Sequence, residues 1–290
     1  MPRNLPLEER VSRAEEKRRE IPAVYFTEHE ISRNICRSFA KGCGAIMMPV
    51  EVAERKKTAA MYGFLRGTGE VMKERWKNQY YRYQEPFVYI DHGYINPGHY
   101  GGYYRCIWNN THLGSDWQED FFPEPDFNRL KKTGWKAMEW IPRSKDAPVL
   151  VSPPSRAVSM LYGIDRAGWT ENVVKYLRGK TNREIIVVSK SEKPGLPLLD
   201  DAWALVHIQS NLSIEAIRRG IPVFTVEERS KFNRIVVSHP SRDFSNHLKD
   251  IENPEFISVD ERMAWGAWLA ASQFTLPEMM EGIAWRALTS

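Results

Sequence analysis

The segment DDAWALVHIQSNLSIEAIRRGIPVFTV, residues 200–226, is the most informative part of the sequence for the fold. An apolar run ends in the polar turn Gln209–Asn211, a short helical pattern follows, and a Gly-Ile-Pro step leads into a second apolar run. Strand, helix and strand in that order are typical of a parallel β-α-β unit. The stretch therefore predicts strands at Ala202–Ile208 and Val223–Val226 and a helix at Leu212–Arg219.

The polar turn in this unit is a candidate anion site. Ser210 or Asn211 is placed to cap the helix, and Ser213 and Glu215 fall in its first turn. A helix that opens at the carboxyl end of a parallel strand favours negative charge through its unpaired N–H groups and its dipole. In this interpretation Ser210 and Ser213 hold a phosphate, and Glu215 accepts hydrogen bonds from ribose hydroxyls. The alternative is a strand–helix junction with ordinary capping.

Composition limits the class of protein. The chain has 290 residues, is 42% hydrophobic and carries a net charge of +4, which permits a polyanionic partner without requiring one. No apolar run approaches the about 18 residues that a membrane span needs, and the first residues are charged, so we expect a cytoplasmic protein without membrane insertion. Cys36, Cys43 and Cys106 form no CxxC pair, which argues against a disulfide framework or a zinc site.

Strand and helix patterns alternate in both halves of the chain. Between residues 109 and 146 the sequence has no clear period and predicts a long loop that ends in a linker near Pro142–Pro148. The alternation predicts parallel sheets covered by helices, namely two Rossmann-like domains that face a cleft, with ligands at the carboxyl ends of the strands. The other predicted strands are Ala23–Thr27, Ala45–Met48, Ala59–Leu65, Phe87–Ile90, Tyr103–Trp108, Val149–Ser152 and Glu184–Ser189. The other predicted helices are Glu30–Ala40 (ended by Gly42), Thr170–Gly179, Val259–Phe274 and Pro277–Leu288, the last with Thr275 as its N-cap.

Asp91 and His92 follow a short, strongly apolar strand. A carboxylate and an imidazole at the end of a buried strand suit general-base catalysis, and Gly93 lets the chain turn so that they face the cleft. The alternative is a turn in which the aspartate only caps local backbone.

Two segments of the first half are candidate acceptor sites. Arg66, Gly67 and Gly69 form a strand–loop–helix turn where backbone can approach a phosphate or sugar, although the Walker lysine is absent and a tight turn explains it equally. The tract 92–105 mixes glycine, tyrosine and histidine without hydrophobic periodicity, which indicates an aromatic-lined loop or a self-packed Ω-loop. Its candidate contacts are Tyr94, His99 and Tyr103, and the candidate stacking partners for a base are Tyr94, Tyr100, Tyr103 and Trp108.

Basic residues follow two of the predicted strands. Lys190 comes just after Glu184–Ser189, with Lys193 in reserve, and Arg156 comes after Val149–Ser152. At the carboxyl edge of a sheet such cations neutralise a diphosphate leaving group, although exposed basic side chains are usually only solvated. The histidines His92 and His99 lack the spacing and carboxylate partners of a metal site, so we expect no bound metal.

The stretch 183–226 resembles the donor-binding half of GT-B glycosyltransferases, in particular the capsule-polysaccharide type and phage-encoded relatives. YIDHGY (89–94) also resembles an acceptor-side segment of the phage proteins, and SQFTLPEMMEGIAWRAL (272–288) resembles their closing helix. The matching residues of the donor half are Ser210, Asn211, Glu215, Ala216, Gly220 and Pro222.

This resemblance implies transfer of a sugar from a UDP- or GDP-sugar co-substrate to an acceptor hydroxyl, without a tightly bound cofactor. It implies an acceptor-binding domain at 1–147, a nucleotide-sugar-binding domain at 148–262 and C-terminal helices at 263–290 that return to the first domain. The implied donor-binding residues are Lys190, Ser210, Asn211, Ser213, Glu215 and Arg156. The phage relatives imply a hydroxymethylated pyrimidine in DNA as the acceptor; a polysaccharide or lipid-linked acceptor, or a non-catalytic nucleotide- or DNA-binding protein, remains the alternative.

Overall fold

The computed structural model describes residues 20–52, 58–63, 86–97, 102–108, 124–156, 158–159, 163–189, 194–226 and 239–290. The chain divides into two compact units, the first made of Met1–Glu124 with Trp268–Ser290 and the second of Pro125–Ala267. The predicted loop at Arg66–Gly69, the cations Lys190 and Lys193, and the residues His99 and Tyr100 all lie outside the described residues.

The first unit contains a six-stranded sheet in the order β10-β5-β4-β3-β1-β2. The strands β1 to β4 run parallel to one another, which confirms this part of the predicted sheet. Every residue of β3, β4 and β5 is buried, as expected for strands that are covered on both faces. The strands are β1 (Ala23–Phe26), β2 (Met47–Pro49), β3 (Ala59–Tyr62), β4 (Phe87–His92), β5 (Tyr104–Trp108) and β10 (Gln273–Phe274).

One strand of this sheet departs from the predicted parallel arrangement, and another, β10 (Gln273–Phe274), lies in a segment that was wrongly predicted as the end of the helix Val259–Phe274. β5 pairs antiparallel with β4, and β10 pairs antiparallel with β5. The reason is the short connection from Gly93 to Tyr103, which returns the chain beside β4; a parallel crossover needs a dozen or more residues, usually including a helix.

Three helices pack on the first sheet. Cys36 and Phe39 of α1 (Glu30–Cys43) share a core cluster with Met279 of α7 (Leu276–Met280) and with Leu288 of α8 (Ile283–Thr289). The predicted Thr275 N-cap is confirmed, since its side chain and that of Glu278 form a reciprocal capping box. The helix predicted at Pro277–Leu288 is instead divided at Gly282, whose φ of 75° lies in the left-handed region that ends a helix.

The sequence predicted that Gly42 ends α1, but the structure does not place the end of the helix there. The helix continues through Cys43, and Gly44 takes the left-handed C-cap position with φ 69°. A Cβ atom on Gly42 would lie 1.8 Å from the Met279 carbonyl oxygen and 2.8 Å from the Gly282 nitrogen. Gly42 is therefore required by the close approach of two backbones and not by a turn.

The second unit contains a four-stranded, fully parallel sheet in the order β7-β6-β8-β9, which confirms the parallel prediction for this half. Its strands are β6 (Val149–Ser152), β7 (Ile185–Val187), β8 (Ala204–His207) and β9 (Val223–Thr225). Its helices are α2 (Phe127–Thr133), α3 (Arg166–Arg178), α4 (Gly195–Leu198), α5 (Leu212–Arg218) and α6 (Val259–Ala271, the end of which enters the first unit). Short 3₁₀ turns occupy Leu199–Asp201, Pro240–Phe244 and Leu248–Asp250.

The two faces of the second sheet differ in polarity near its carboxyl edge. Val151 and Val206 point to one face and join an apolar cluster with Trp169 of α3. Because side chains alternate along a strand, Ser152 and His207 point to the other face, and the register places them side by side. This polar face lies at the carboxyl edge that the sequence marked as a ligand site.

Candidate functional site

Asp91, the residue expected to act as a base, is the fifth residue of β4 and is 6% exposed. Its Oδ2 lies 3.0 Å from an Arg105 guanidinium nitrogen and accepts the Tyr89 hydroxyl at 2.9 Å. Its Oδ1 accepts the His92 backbone N–H at 2.7 Å. Both oxygens are bonded inside the protein and the side chain is nearly buried, so in this structure Asp91 is not presented to an acceptor hydroxyl, and its role as a base stays a prediction.

His92, the last residue of β4, is 3% exposed and belongs to the same network. Its Nε2 lies 3.1 Å from the Tyr62 hydroxyl, and its ring stacks on Tyr104 with centroids 5.6 Å apart. Arg105 donates to the His92 carbonyl at 2.6 Å. The hydrogen bonds and ring contacts of this network join β3, β4 and β5 at one end. The role that they indicate for His92 is structural.

The aromatic residues predicted to stack on an acceptor are largely inaccessible. Tyr94 is 3% exposed, with its ring centroid 4.7 Å from the Arg105 guanidinium carbon. Trp108 is fully buried and donates its indole N–H to the Leu288 carbonyl at 2.8 Å. Tyr103 is half-buried. The stacking role expected for Tyr94 and Trp108 does not fit, because neither ring face is presented to solvent.

In the second unit, the turn between β8 and α5 presents two polar side chains to solvent. Ser210 is half-buried and Asn211 is exposed. The Ser210 hydroxyl oxygen accepts from the Ser152 hydroxyl at 3.1 Å and from the Leu212 N–H at 3.3 Å. Because that oxygen accepts both bonds, the Ser210 proton is left for a further acceptor.

The mouth of α5 differs from the predicted amide-lined anion site. The Leu212 N–H donates to the Ser210 side chain and the Ser213 N–H to the Ser210 carbonyl at 3.0 Å, while the Asn211 side chain makes no capping bond. The helix is also only seven residues long, so its dipole is small. Side-chain donors, more than backbone amides, are what this turn offers an anion.

The Asn211 side chain is hydrogen-bonded to His239, which is fully buried. The backbone N–H of Ser241 donates to His239 Nδ1 at 3.4 Å, so Nδ1 is the acceptor nitrogen and Nε2 carries the proton. Nε2 lies 3.2 Å from Asn211 Oδ1, which therefore accepts from it. Asn211 is exposed, so with its oxygen bonded to His239 its NH₂ group is the part of the amide that is left to bind a ligand.

A second buried histidine, His207, extends this network. The Ser241 hydroxyl lies 2.9 Å from His239 Nδ1 and 3.1 Å from His207 Nε2. Since Ser241 gives its single proton to the accepting His239 nitrogen, His207 Nε2 must donate to Ser241. Burial lowers the pKa of His207 to about 3, so the ring is neutral at physiological pH.

Ser213 and Glu215, predicted to bind phosphate and ribose, form hydrogen bonds within the protein. Ser213 is fully buried and donates its hydroxyl to the Ser210 carbonyl at 2.7 Å. Glu215 accepts from Arg218 at 2.8 and 2.5 Å and from Arg219 at 2.7 Å. Burial raises the pKa of Glu215, but the hydrogen bonds and charges of the two arginines outweigh it and leave the pKa below its usual value. Neither side chain is available in the predicted role.

Gln209 lies between the buried strand and the exposed turn. It is 8% exposed, and among the described residues neither its amide oxygen nor its amide nitrogen has a hydrogen-bond partner. The same holds for His207 Nδ1. Arg156 follows β6 at this edge of the sheet and is exposed.

Sequence reasoning missed His239 and passed over His207. His207 lies inside the quoted stretch but was treated only as a strand residue. The signal for His239 was the His-Pro-Ser sequence at 239–241, since proline suits the first position of a helical turn and the side chain before it can cap that turn. No group of three or more His, Cys, Asp or Glu side chains is placed to hold a metal within the described ranges. Among those ranges, too, every helix is too short or too polar to cross a bilayer.

A scan against protein-family models finds no match for this chain, and a search of curated proteins finds none. Among solved structures, the chain is similar to Thermosulfurimonas dismutans KpsC, beta Kdo 2,4 transferase, at 12% identity and a TM-score of 0.41, covering 86% of this chain and 90% of that one. It is also similar to Thermosulfurimonas dismutans KpsC, beta Kdo 2,7 transferase, at 10% identity and a TM-score of 0.40, covering 90% and 98%. At these TM-scores the likeness supports no conclusion about this chain's activity.

Proposed function

We propose that this chain is a glycosyltransferase that moves a sugar from a nucleotide-activated donor to a hydroxyl of a saccharide acceptor. One observation carries the proposal: the Asn211 amide is oriented by the buried His239 so that it offers only N–H donors at the carboxyl edge of a parallel sheet. Parallel α/β sheets bind their ligands outside this edge.

The hydrogen-bond donors and the cation at this edge support a phosphate ligand. The Asn211 NH₂ group and the Ser210 hydroxyl proton are donors, and Arg156 at the same edge is an exposed cation. The buried groups behind them, His207 and His239, are rigidly bonded, which fixes the donors before a ligand arrives. Preorganised donors of this kind stabilise the charge that develops on a departing phosphate.

In the transfer itself, the acceptor oxygen forms a bond to the anomeric carbon, the bond from that carbon to the phosphate oxygen breaks with its electron pair staying on the phosphate, and the hydroxyl proton of the acceptor passes to solvent water. The Asn211 and Ser210 donors and the Arg156 cation take up the charge of the leaving phosphate. Lys190, which follows β7 in the sequence, is proposed as a further cation for the same group. Asp91 is assigned no part in this step because both its oxygens are bonded.

The acceptor is proposed to be a saccharide and not a base in DNA. A base flipped from a duplex needs stacking partners in its pocket. Tyr94 and Trp108, expected to supply them, are buried. The net charge of +4 is also modest for a protein that grips a phosphate backbone.

The experiment measures donor binding and turnover with the intact chain. Sugars activated by UDP, GDP, ADP or CMP are screened by thermal shift, and release of the free nucleotide is followed with and without oligosaccharide acceptors. At least one donor should raise the melting temperature and be consumed faster with an acceptor present. Binding without any turnover would favour the non-catalytic alternative.

The variant Asn211→Asp isolates the residue that carries the proposal. Aspartate keeps the oxygen that accepts from His239 but replaces the NH₂ donors with a negative charge, so donor binding should fall at least about tenfold. The control is Asn253→Asp, the same change at an exposed position of the same unit, which should bind like the wild type. Equal binding by both variants would contradict the assigned site.

A further inference from the structure

The buried face behind the Ser210–Asn211 turn contains hydrogen-bonding capacity that the protein itself does not use. Gln209 is 8% exposed, and neither its amide oxygen nor its amide nitrogen is bonded by any described residue. His207 Nδ1, in a fully buried ring, is likewise unpaired across the described part of the chain. Buried polar atoms are nearly always bonded, so atoms in this state call for a partner beyond the described side chains, either an ordered water or a ligand.

The missing partner is expected to be uncharged. The described hydrogen-bond network of His207 and Ser210 at this face contains Ser152 from β6, Thr225 from β9, Ser213 from α5, and Ser241 and His239 from the 3₁₀ turn. All are neutral hydroxyls or a histidine ring that bonds as the neutral form. None of these described groups is charged, so they offer no counter-charge to a buried ion, which makes an ionic partner unfavourable.

An amide side chain selects a particular neutral partner. It presents one acceptor and one donor side by side in a plane, and so pairs with a planar group that carries a donor next to an acceptor. The edges of nucleobases have this arrangement, and paired amide–base contacts are a general mode of base recognition.

We propose that Gln209 is the residue that recognises the nucleobase of the donor, through paired hydrogen bonds from its side-chain amide. This inference rests on the proposed function, because it places the base beside the turn that holds the donor's phosphate. Gln209 directly precedes the half-buried Ser210 and the exposed Asn211, so it adjoins that turn in the chain. Binding of the base then satisfies atoms that the empty protein leaves unpaired.

The proposal predicts an unusual pair of effects for Gln209→Met, which keeps the length of the side chain and removes both polar atoms. Without ligand, the variant should melt at the same temperature as the wild type or higher, because no hydrogen bond is lost. With ligand, it should lose the preference for one base over the others by about tenfold. A glutamine that only bonds ordered water would show the opposite pattern, namely a lower melting temperature and an unchanged preference.

The test uses the intact chain with the mono- and diphosphates of uridine, guanosine, cytidine and adenosine, and with inorganic pyrophosphate. Wild-type protein should bind one nucleotide more tightly than pyrophosphate, and Gln209→Met should bind both with similar affinity. Gln209→Leu serves as a second apolar variant should the first fail to fold. Retention of the full base preference in a folded variant overturns the role of Gln209 alone. Failure of the wild type to bind pyrophosphate or any nucleotide overturns the proposed function together with it.

Discussion

The buried histidine of β8 makes the stability of this protein sensitive to acid. Burial lowers the pKa of His207 from 6.5 to about 3 in the folded state, while the unfolded chain keeps the ordinary value. Below pH 6.5 the unfolded state therefore binds a proton at His207 that the folded state does not bind. The contribution of His207 to the free energy of unfolding is present above pH 6.5 and is lost as the pH falls toward 3. From pH 7 to pH 5 this one residue should reduce the free energy of unfolding by about 2 kcal/mol.

The variant His207→Gln separates this effect from the other titrating groups. Glutamine retains an N–H donor for the Ser241 hydroxyl but does not titrate. Urea unfolding at pH 7 and pH 5 should show a smaller loss of stability in the variant, by about 2 kcal/mol, because the proton uptake of the unfolded chain at residue 207 is removed. NMR titration of the His207 ring should show no protonation down to pH 5. Protonation of that ring near pH 6.5, or equal losses in the two proteins, would refute the argument.

Three further substitutions test the packing of the first unit. Asp91→Asn removes the partner of the buried Arg105 at 3.0 Å and should cost about 3 to 5 kcal/mol in urea unfolding; a change under about 1 kcal/mol would mean that the ion pair is unimportant. Gly42→Ala places a Cβ atom 1.8 Å from the Met279 carbonyl, so α1 and α7 must separate and the melting temperature should fall by more than it does for Gly44→Ala, where nothing lies within 4 Å. Thr275→Ala removes the capping box of α7 and should cost about 1 kcal/mol, measured by hydrogen exchange of that helix; unchanged protection would contradict it.

The second sheet could be predicted from sequence because its signals are local. Each strand of residues 200–226 is a largely apolar run, and the helix between them is bounded by a polar turn at its start and by Gly-Ile-Pro at its end. The structure places β8, α5 and β9 within two residues of the predicted bounds. The same reasoning placed Ser210 and Asn211 at the turn.

The first sheet was harder because its strand directions depend on the length of the connections. The link between β4 and β5 has no helical pattern of its own, and the sequence alone did not reveal that the chain reverses there. Gly42 was read as a helix end because the sequence does not show which backbone approaches it. The backbone that approaches Gly42 is that of Met279, more than 230 residues further along the chain.

The site depended most on contacts between distant segments. His239 orients Asn211 from 28 positions further along the chain, and nothing local to Asn211 predicts it. Glu215 looked available to a ribose because the sequence does not show that Arg218 and Arg219 fold back onto it. Asp91 looked like a base for the same reason, since Arg105 reaches it only once β5 has paired with β4.

The most direct test of the central claim is hydrogen–deuterium exchange of the intact chain, with and without UDP, GDP, ADP and CMP. The account predicts that at least one nucleotide slows exchange in peptides that contain residues 207–213 and 239–241, and that Asn211→Asp abolishes this protection. Protection confined to other segments, or identical exchange with every nucleotide, would contradict a phosphate site built on Asn211 and His239.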